Sequence, residues 1–248
     1  MTEPRENAAR NTHNVVERLL CEGRSESELR AMRVLDIPCG QGAFTQRLLH
    51  RGMQVVPSDV IEDARDLPGC ESFAAANMDE PLPFGDGAFT HVVCIDGIEH
   101  IERTFDFVRE CRRVLAPGGS LLISTPNVSS VRSRWRFFLT GHHNKCKTPL
   151  NETDVTPLHH KSMLSFPELR YMLHTNGFGI TRVTTNRAKA ISYIYALVFP
   201  LLNLVTRRVY AKEERDPGQR ARNREILKTM FSAPVYFGET LIVIARRQ

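Results

Sequence analysis

Between Val34 and Phe44 the chain reads Val-Leu-Asp-Ile-Pro-Cys-Gly-Gln-Gly-Ala-Phe, three apolar residues around Asp36 followed by Gly40 and Gly42. Glycines this close together let a ligand approach the backbone and let a turn adopt dihedrals closed to other residues. The loop leads into a predicted helix over 43–49, whose first amides favour a carboxylate or phosphate. Thr45 stands where the third glycine of a G-x-G-x-x-G dinucleotide fingerprint belongs, so that fingerprint fails. Asp59 lies seventeen residues beyond Gly42, at the end of another apolar run. An acid in that place commonly accepts bonds from a ribose diol. The expected ligand therefore carries a ribose and, near the glycines, something other than a pyrophosphate. Three histidines have the chemistry to take a proton from a hydroxyl. They are His100 in Ile-Glu-His-Ile, and His159 and His160 in Thr-Pro-Leu-His-His-Lys.

These residues need a frame, and the hydrophobic pattern supplies one. Segments 33–39, 54–60, 90–97 and 120–127 read as strands, and 238–248 as a final strand. Segment 15–20 reads as an amphipathic helix. Segment 42–52 reads as a helix closed by Gly52, and 104–119 as a helix stopped by Pro-Gly-Gly. A further helix begins near Phe166-Pro167-Glu168. Alternation of this kind predicts an open, mostly parallel α/β sheet. Such a sheet binds ligands beyond the carboxyl ends of its strands. The residues to weigh are thus Asp36 to Gly42, Ser58 to Val60, Asn77 to Asp79 and Asp96 to His100.

Four blocks, in order, resemble the class I S-adenosylmethionine-dependent methyltransferases. "VLDIPCGQGAF" resembles the glycine motif, with Pro38 in place of the commoner first glycine. "VVPSDV" resembles the second strand and its acid. "ANMDEPLPFGDGAFTHVVCIDGIEHI" resembles the adenine loop and fourth strand, with Thr90 where the family often has Asp. "FVRECRRVLAPGGSLLISTPN" resembles the following helix and fifth strand. The resemblance implies a Rossmann-like seven-stranded, mostly parallel sheet with the last strand antiparallel, helices on both faces and an inserted helical lid. It implies S-adenosyl-L-methionine as cofactor, held by Asp36, Pro38, Cys39, Gly40, Gly42, Phe44, Asp59, Val60, Asn77, Met78, Asp96 and Gly97. Asp59 would take the ribose hydroxyls, Asn77 the adenine amino group, and Met78 the face of the ring. The implied reaction is methyl transfer, expected at an oxygen of a small-molecule or lipid-linked acceptor. Within the family the pattern is similar to enzymes of ubiquinone biosynthesis and to those associated with surface polysaccharides. His100, His159 and His160 are the candidate bases. Glu99, His100 and His159 are a conceivable metal set, since the family resembled includes metal-bound O-methyltransferases, but no tight ligand spacing supports it and no metal is expected.

Composition narrows the alternatives. The 248 residues are 42% hydrophobic and 25% charged, as in a globular enzyme, and one methyltransferase domain over 1–248 is expected. The net charge of +5 is uneven. Residues 1–180 carry 20 basic against 23 acidic side chains, and residues 181–248 carry 13 against 5. Six cysteines with no C-x-x-C pair fit a reducing, cytoplasmic setting. The polar first residues hold no apolar leader segment and are expected to be loose. Segments 129–165 and 187–225 read as lid insertions, with 211–224 as an exposed linker. In the first of these, Arg132, Arg134 and Arg136 alternate with Trp135, Phe137 and Phe138. A lid over an acceptor pocket is preferred there to a nucleic-acid surface. The chain also lacks the Asn/Asp-Pro-Pro-aromatic motif of base methylation, so no nucleic-acid partner is expected. Between Lys189 and Arg207 lie 17 uncharged residues interrupted by Pro200. Segment 190–205 is too short and broken to span a bilayer. It suits a helix pair packed on the sheet, a homodimer face, or a peripheral contact with anionic lipid. The rival readings are a nicotinamide-dependent Rossmann oxidoreductase and a non-catalytic module that binds S-adenosylmethionine.

Overall fold

The computed structural model describes residues 8–146, 148–153, 156 and 158–248. Residues 1–7, expected to be loose, and residues 147, 154, 155 and 157 of the first insertion lie outside the described residues. The chain opens with α1 (Thr12–Cys21), α2 (Glu26–Arg30), β1 (Arg33–Asp36), α3 (Ala43–His50), β2 (Gln54–Asp59) and the short β3 (Ala74–Ala75). There follow β4 (Phe89–Ile95), α4 (Thr104–Val114), β5 (Leu115–Pro126), α5 (Val131–Thr140), α6 (Phe166–Thr175) and β6 (Phe178–Thr185). The chain closes with α7 (Phe199–Glu213), α8 (Pro217–Met230), α9 (Ala233–Phe237) and β7 (Thr240–Arg247).

The strands form one seven-stranded sheet in the order β3-β2-β1-β4-β5-β7-β6. The pairs β1–β2, β1–β4, β2–β3 and β4–β5 are parallel. β7 runs antiparallel to both β5 and β6, with Ser124 opposite Ile242 and Val183 opposite Val243. This is the expected sheet, with its reversed strand inserted between the fifth and sixth. Strand order switches direction between β1 and β4. A crevice opens beyond the carboxyl ends of strands at such a switch point.

Alternating side chains along each strand divide between two cores, as the period of two requires. Leu35, Val92, Cys94, Leu121, Ile123 and Val243 pack with Phe107 and Cys111 of α4 and Leu169 and Met172 of α6. Val34, Val93, Ile95, Leu122 and Ile242 face the other way, onto Val16 and Leu20 of α1 and Phe44 and Leu48 of α3. Burial on both faces explains why these strands read as continuous apolar runs.

Three local expectations need correction. The helix expected over 104–119 ends at Val114, and β5 already begins at Leu115, which pairs with Phe89. Pro117 disfavours a helical Ala116 before it, so Pro-Gly-Gly lies inside the strand. Residues 211–224 are not a linker. α7 runs to Glu213, and the Asp216–Pro217 pair starts α8, with the Asp216 carboxylate accepting the Gln219 N–H. Asp at the N-cap with Pro at the first helical position is a strong start signal, masked here by the density of charge. Segment 190–205 divides as read at Pro200, but into a 3₁₀ helix (Ala190–Val198) and the start of α7, and no α7 residue is buried.

Candidate active site

The strand ends at the switch point enclose a cleft of about 790 Å³. Of the residues expected around a cofactor, Asp36, Pro38, Cys39, Gly40, Phe44, Asp59, Val60, Asn77, Met78, Asp96 and Gly97 all line it, together with His100 and His160. Gly42 and His159 do not. Gly42 takes φ +76 as N-cap of α3, and a Cβ there would lie 2.5 Å from Leu67 Cδ1. The left-handed backbone calls for a glycine there, with Ala64 Cβ also only 3.2 Å from the added carbon.

β1 delivers Asp36 to the floor of the cleft. Its buried carboxylate accepts the Thr45 hydroxyl at 2.6 Å. Burial, partly countered by that bond and reinforced by the charge of Asp59, pushes the Asp36 pKa up to about 7. β2 delivers Asp59, which accepts the Gly40 N–H at 2.8 Å and the Ile61 N–H at 3.1 Å, one on each oxygen. Each oxygen keeps a lone pair for a further donor. The Asn77 amide oxygen accepts the Asp79 N–H at 3.0 Å, so it shapes the loop after β3. The Asp79 carboxylate in turn accepts the Glu102 and Arg103 N–H groups and ties that loop to the start of α4.

β4 ends at a strained turn in which Asp96 takes φ +45. Its carboxylate accepts the Ser124 hydroxyl at 2.5 Å and the Ala9 N–H at 2.9 Å. The second bond draws the chain before α1 across the cleft. Asn186 clamps the same segment, donating to the Arg10 carbonyl while its own carbonyl accepts from the Asn11 amide. His13 of α1 lines the cleft against the Phe44 ring, with centroids 5.1 Å apart. Sequence reasoning missed His13 and Ala8, because a polar N-terminal segment carries no sign of where it docks. It also missed Thr45 as a partner of Asp36. The i+9 spacing of a strand-end acid and a hydroxyl in the first turn of the next helix was the available signal.

The histidines gather at the mouth. The His100 Nδ1–H donates to the His159 carbonyl at 3.1 Å, and the His160 ring meets His100 edge-on with centroids 4.8 Å apart. Ser162 holds the two loops together by donating its N–H to the Glu99 carbonyl and its hydroxyl to the Ile101 carbonyl. Of the His159–His160 pair, His160 enters the cleft and His159 contributes its backbone carbonyl. Burial lowers the pKa of both His100 and His160, which favours the neutral form of each ring. Beneath them Glu99 is 1% exposed. Burial, then the charge of Asp96, raises its pKa to about 8. The potential ligand atoms of Glu99, His100 and His160 lie within 4.8 Å of one another, a grouping able to hold a metal ion. Glu99 and His100 belong to the set considered from the sequence, but the third member is His160 rather than His159.

Comparison with known proteins follows this geometry. Residues 35–123 match the family model described as "Methyltransferase domain". The ubiquinone biosynthesis O-methyltransferase of Xanthomonas oryzae pv. oryzae is 32% identical over 109 residues, which make up 40% of this chain and 45% of that protein. The mitochondrial ubiquinone biosynthesis O-methyltransferase of Rattus norvegicus is 33% identical over 110 residues, 40% of this chain and 32% of that one. The similarity thus spans less than half the length of these curated relatives. Among solved structures, a SAM dependent methyltransferase from Archaeoglobus fulgidus superposes with a TM-score of 0.52 at 17% identity, covering 95% of this chain and all of that one.

Proposed function

We propose, from the premise that the chain carries a class I S-adenosylmethionine-dependent methyltransferase domain related to the ubiquinone-biosynthesis O-methyltransferases, that it methylates an oxygen of a small-molecule or lipid-linked acceptor. One observation carries the choice of oxygen. His100 lines the cleft and gives its Nδ1 proton to the His159 carbonyl, which makes Nε2 the basic nitrogen of the neutral ring. A base of that kind removes the proton of an attacking hydroxyl.

The residues present fit S-adenosyl-L-methionine. The cleft volume lies within the range of small-molecule sites. Its wall carries Asp36, Asp59, Asp63, Asp79 and Asp96, a lining suited to a cationic ligand and poorly suited to a pyrophosphate. Bound S-adenosyl-L-methionine supplies an electrophilic methyl group on a sulfonium. Asp59 would hold the ribose hydroxyls with its remaining lone pairs. Val60, Ile61 and Met78 would cover the adenine. Asp36 and Asp96 would face the methionine amine, with Gly97 admitting the backbone turn beside Pro38. His100 would take the acceptor proton, with His160 packed against it. Holding donor and nucleophile in line supplies most of the rate.

A lipid-linked acceptor is supported by the surface beyond the mouth. Phe138 and Leu139 of α5, Ile194 and Leu197 of the 3₁₀ helix, and Leu201 of α7 are all more than 60% exposed. α5 and the 3₁₀ helix adjoin through Trp135 and Tyr195, with ring centroids 6.2 Å apart. Arg207 and Arg208 follow on α7. No helix among the described residues is long and apolar enough to cross a membrane. The reading is peripheral contact, and the free cysteines fit a reducing, cytoplasmic compartment.

Calorimetry with S-adenosylhomocysteine and with NAD, followed by a labelled methyl donor offered to lipid and polar extracts, tests the whole reading. Binding of the first ligand alone, with label in a base-stable ether, is expected. Binding of NAD in its place would overturn the assignment, as would label recovered only on nitrogen or carbon.

A further inference from the structure

Beyond the carboxyl end of β5, beside the cleft, lies a second cavity of about 180 Å³. Asn127, Ser130, Arg132, Lys145, Lys189 and Glu239 are the lining residues that matter. Glu239 is already matched, because Arg187 and Lys189 both pair with it, the latter at 2.8 Å. Arg132 and Lys145 have no ion-pair or hydrogen-bond partner among the described residues. Among the described residues the cavity therefore holds two cations without an ion-pair or hydrogen-bond partner. It also lies at the N-terminus of the ten-residue helix α5, where backbone amides and the helix dipole favour an anion.

Two further features point to a ligand. Asn127 is 4% exposed, and its Nδ2 is fixed by the Val235 carbonyl at 2.8 Å and the Gly238 carbonyl at 3.1 Å. Its Oδ1 accepts no bond. A buried acceptor left open in this way costs free energy unless something fills it. Lys145 takes φ +77 on a non-glycine backbone, a strain of the kind that gathers at ligand clamps. The turn before it is pinned. His143 stacks on Phe137 at 4.5 Å, and Ser133 Oγ lies 3.0 Å from His143 Nδ1 and accepts the Asn144 N–H at 3.2 Å. The Lys145 charge acts on both Glu99 and His160, so the cavity adjoins the histidine corner.

We propose that this cavity anchors an oxyanion, a carboxylate or a phosphate, carried by the methyl acceptor. The proposal rests on the methyl-transfer reading above. Arg132, Lys145 and the first amides of α5 hold the anion, and Asn127 Oδ1 accepts from a hydroxyl next to it. The cavity has room for such a group and a few atoms more. The reacting hydroxyl then lies toward His100 in the main cleft, and the substrate class narrows to hydroxylated acids or phosphate esters.

The test is calorimetry on the full chain saturated with S-adenosylhomocysteine, titrated with benzoate and, separately, with inorganic phosphate at constant ionic strength. At least one anion is expected to saturate, and its affinity is expected to fall tenfold or more in Arg132→Gln/Lys145→Gln. S-adenosylhomocysteine affinity in that variant should stay within twofold of the wild type, and Arg132→Lys should restore part of the anion affinity. Benzoate alone would identify a carboxylate, and phosphate alone a phosphate ester. Saturation by neither anion overturns the proposal, as does equal affinity in the double variant. If S-adenosylhomocysteine itself fails to bind, the methyl-transfer reading falls separately, and the same titrations on the ligand-free chain still decide whether the anion site exists.

Discussion

The Thr45 hydroxyl donates to the Asp36 carboxylate across 2.6 Å in a buried setting. This contact joins the end of β1 to the first turn of α3 and fixes the floor of the cleft. It also explains why a threonine occupies the place of a third glycine. Thr45→Val would leave the carboxylate without this donor. An expected loss of about 1–3 kcal/mol follows from stranding a buried polar group, readable by urea denaturation.

The raised pKa of Asp36 has a definite sign. Its folded value of about 7 exceeds the ordinary 3.8, so the folded state favours the protonated form. The stability this supplies is complete below about pH 4 and is lost as pH rises through 7. Between those limits the wild type should lose about 1.4 kcal/mol per pH unit relative to Asp36→Asn. Unfolding midpoints of both proteins between pH 5 and 6.5 measure the difference. Parallel curves would remove the buried-acid account.

A Cβ on Gly97 would collide with the Pro38 ring and lie 3.2 Å from Cys94 Sγ. Gly97→Ala is therefore expected to destabilise the fold by about 1–3 kcal/mol, the usual range for overpacking. Cofactor affinity should fall with it, since the same turn lines the cleft. A thermal scan with and without S-adenosylhomocysteine separates the two effects.

Asp59 holds the Gly40 and Ile61 amides as well as the proposed ribose. Asp59→Ala removes every charge-assisted bond at that point, each about 1.5–3 kcal/mol. S-adenosylhomocysteine affinity should drop by about a hundredfold, measured by calorimetry.

His100→Ala should lower kcat by about 10²–10⁴, the range for a lost general base. Its affinity for S-adenosylhomocysteine should remain near that of the wild type. His159→Ala keeps the backbone carbonyl that orients His100, so its kcat should fall far less. Equal losses in the two variants would contradict the assignment.

Leu197 and Phe138 are the most exposed of the large apolar side chains beyond the cleft mouth. Flotation with vesicles containing anionic lipid should retain the wild type and release Leu197→Glu/Phe138→Glu. Failure of the wild type to float would leave only the soluble-acceptor form of the proposed function.

The sheet and most of the cleft were legible in the sequence because both rest on local signals. Continuous apolar runs mark strands buried on two faces, and residues just after those runs fall at strand ends, so Asp36, Asp59 and Asp96 could be placed on one edge. Local competition was harder to read. Pro117 and the Asp216–Pro217 pair act within a few residues, yet composition alone turned one into a helix end and the other into a linker. Contacts between distant segments left no linear trace. Ala9 reaches Asp96 across 87 positions, and the His159 carbonyl orients His100 across 59. Lys145 meets its cavity only after α5 and the turn behind it have packed. The chemistry available to each side chain was thus set by its type and its place along a strand. Which side chains share a wall, and which of them keep a lone pair or a charge to offer, was decided only by tertiary packing, because burial and partner geometry exist only once the chain has closed on itself.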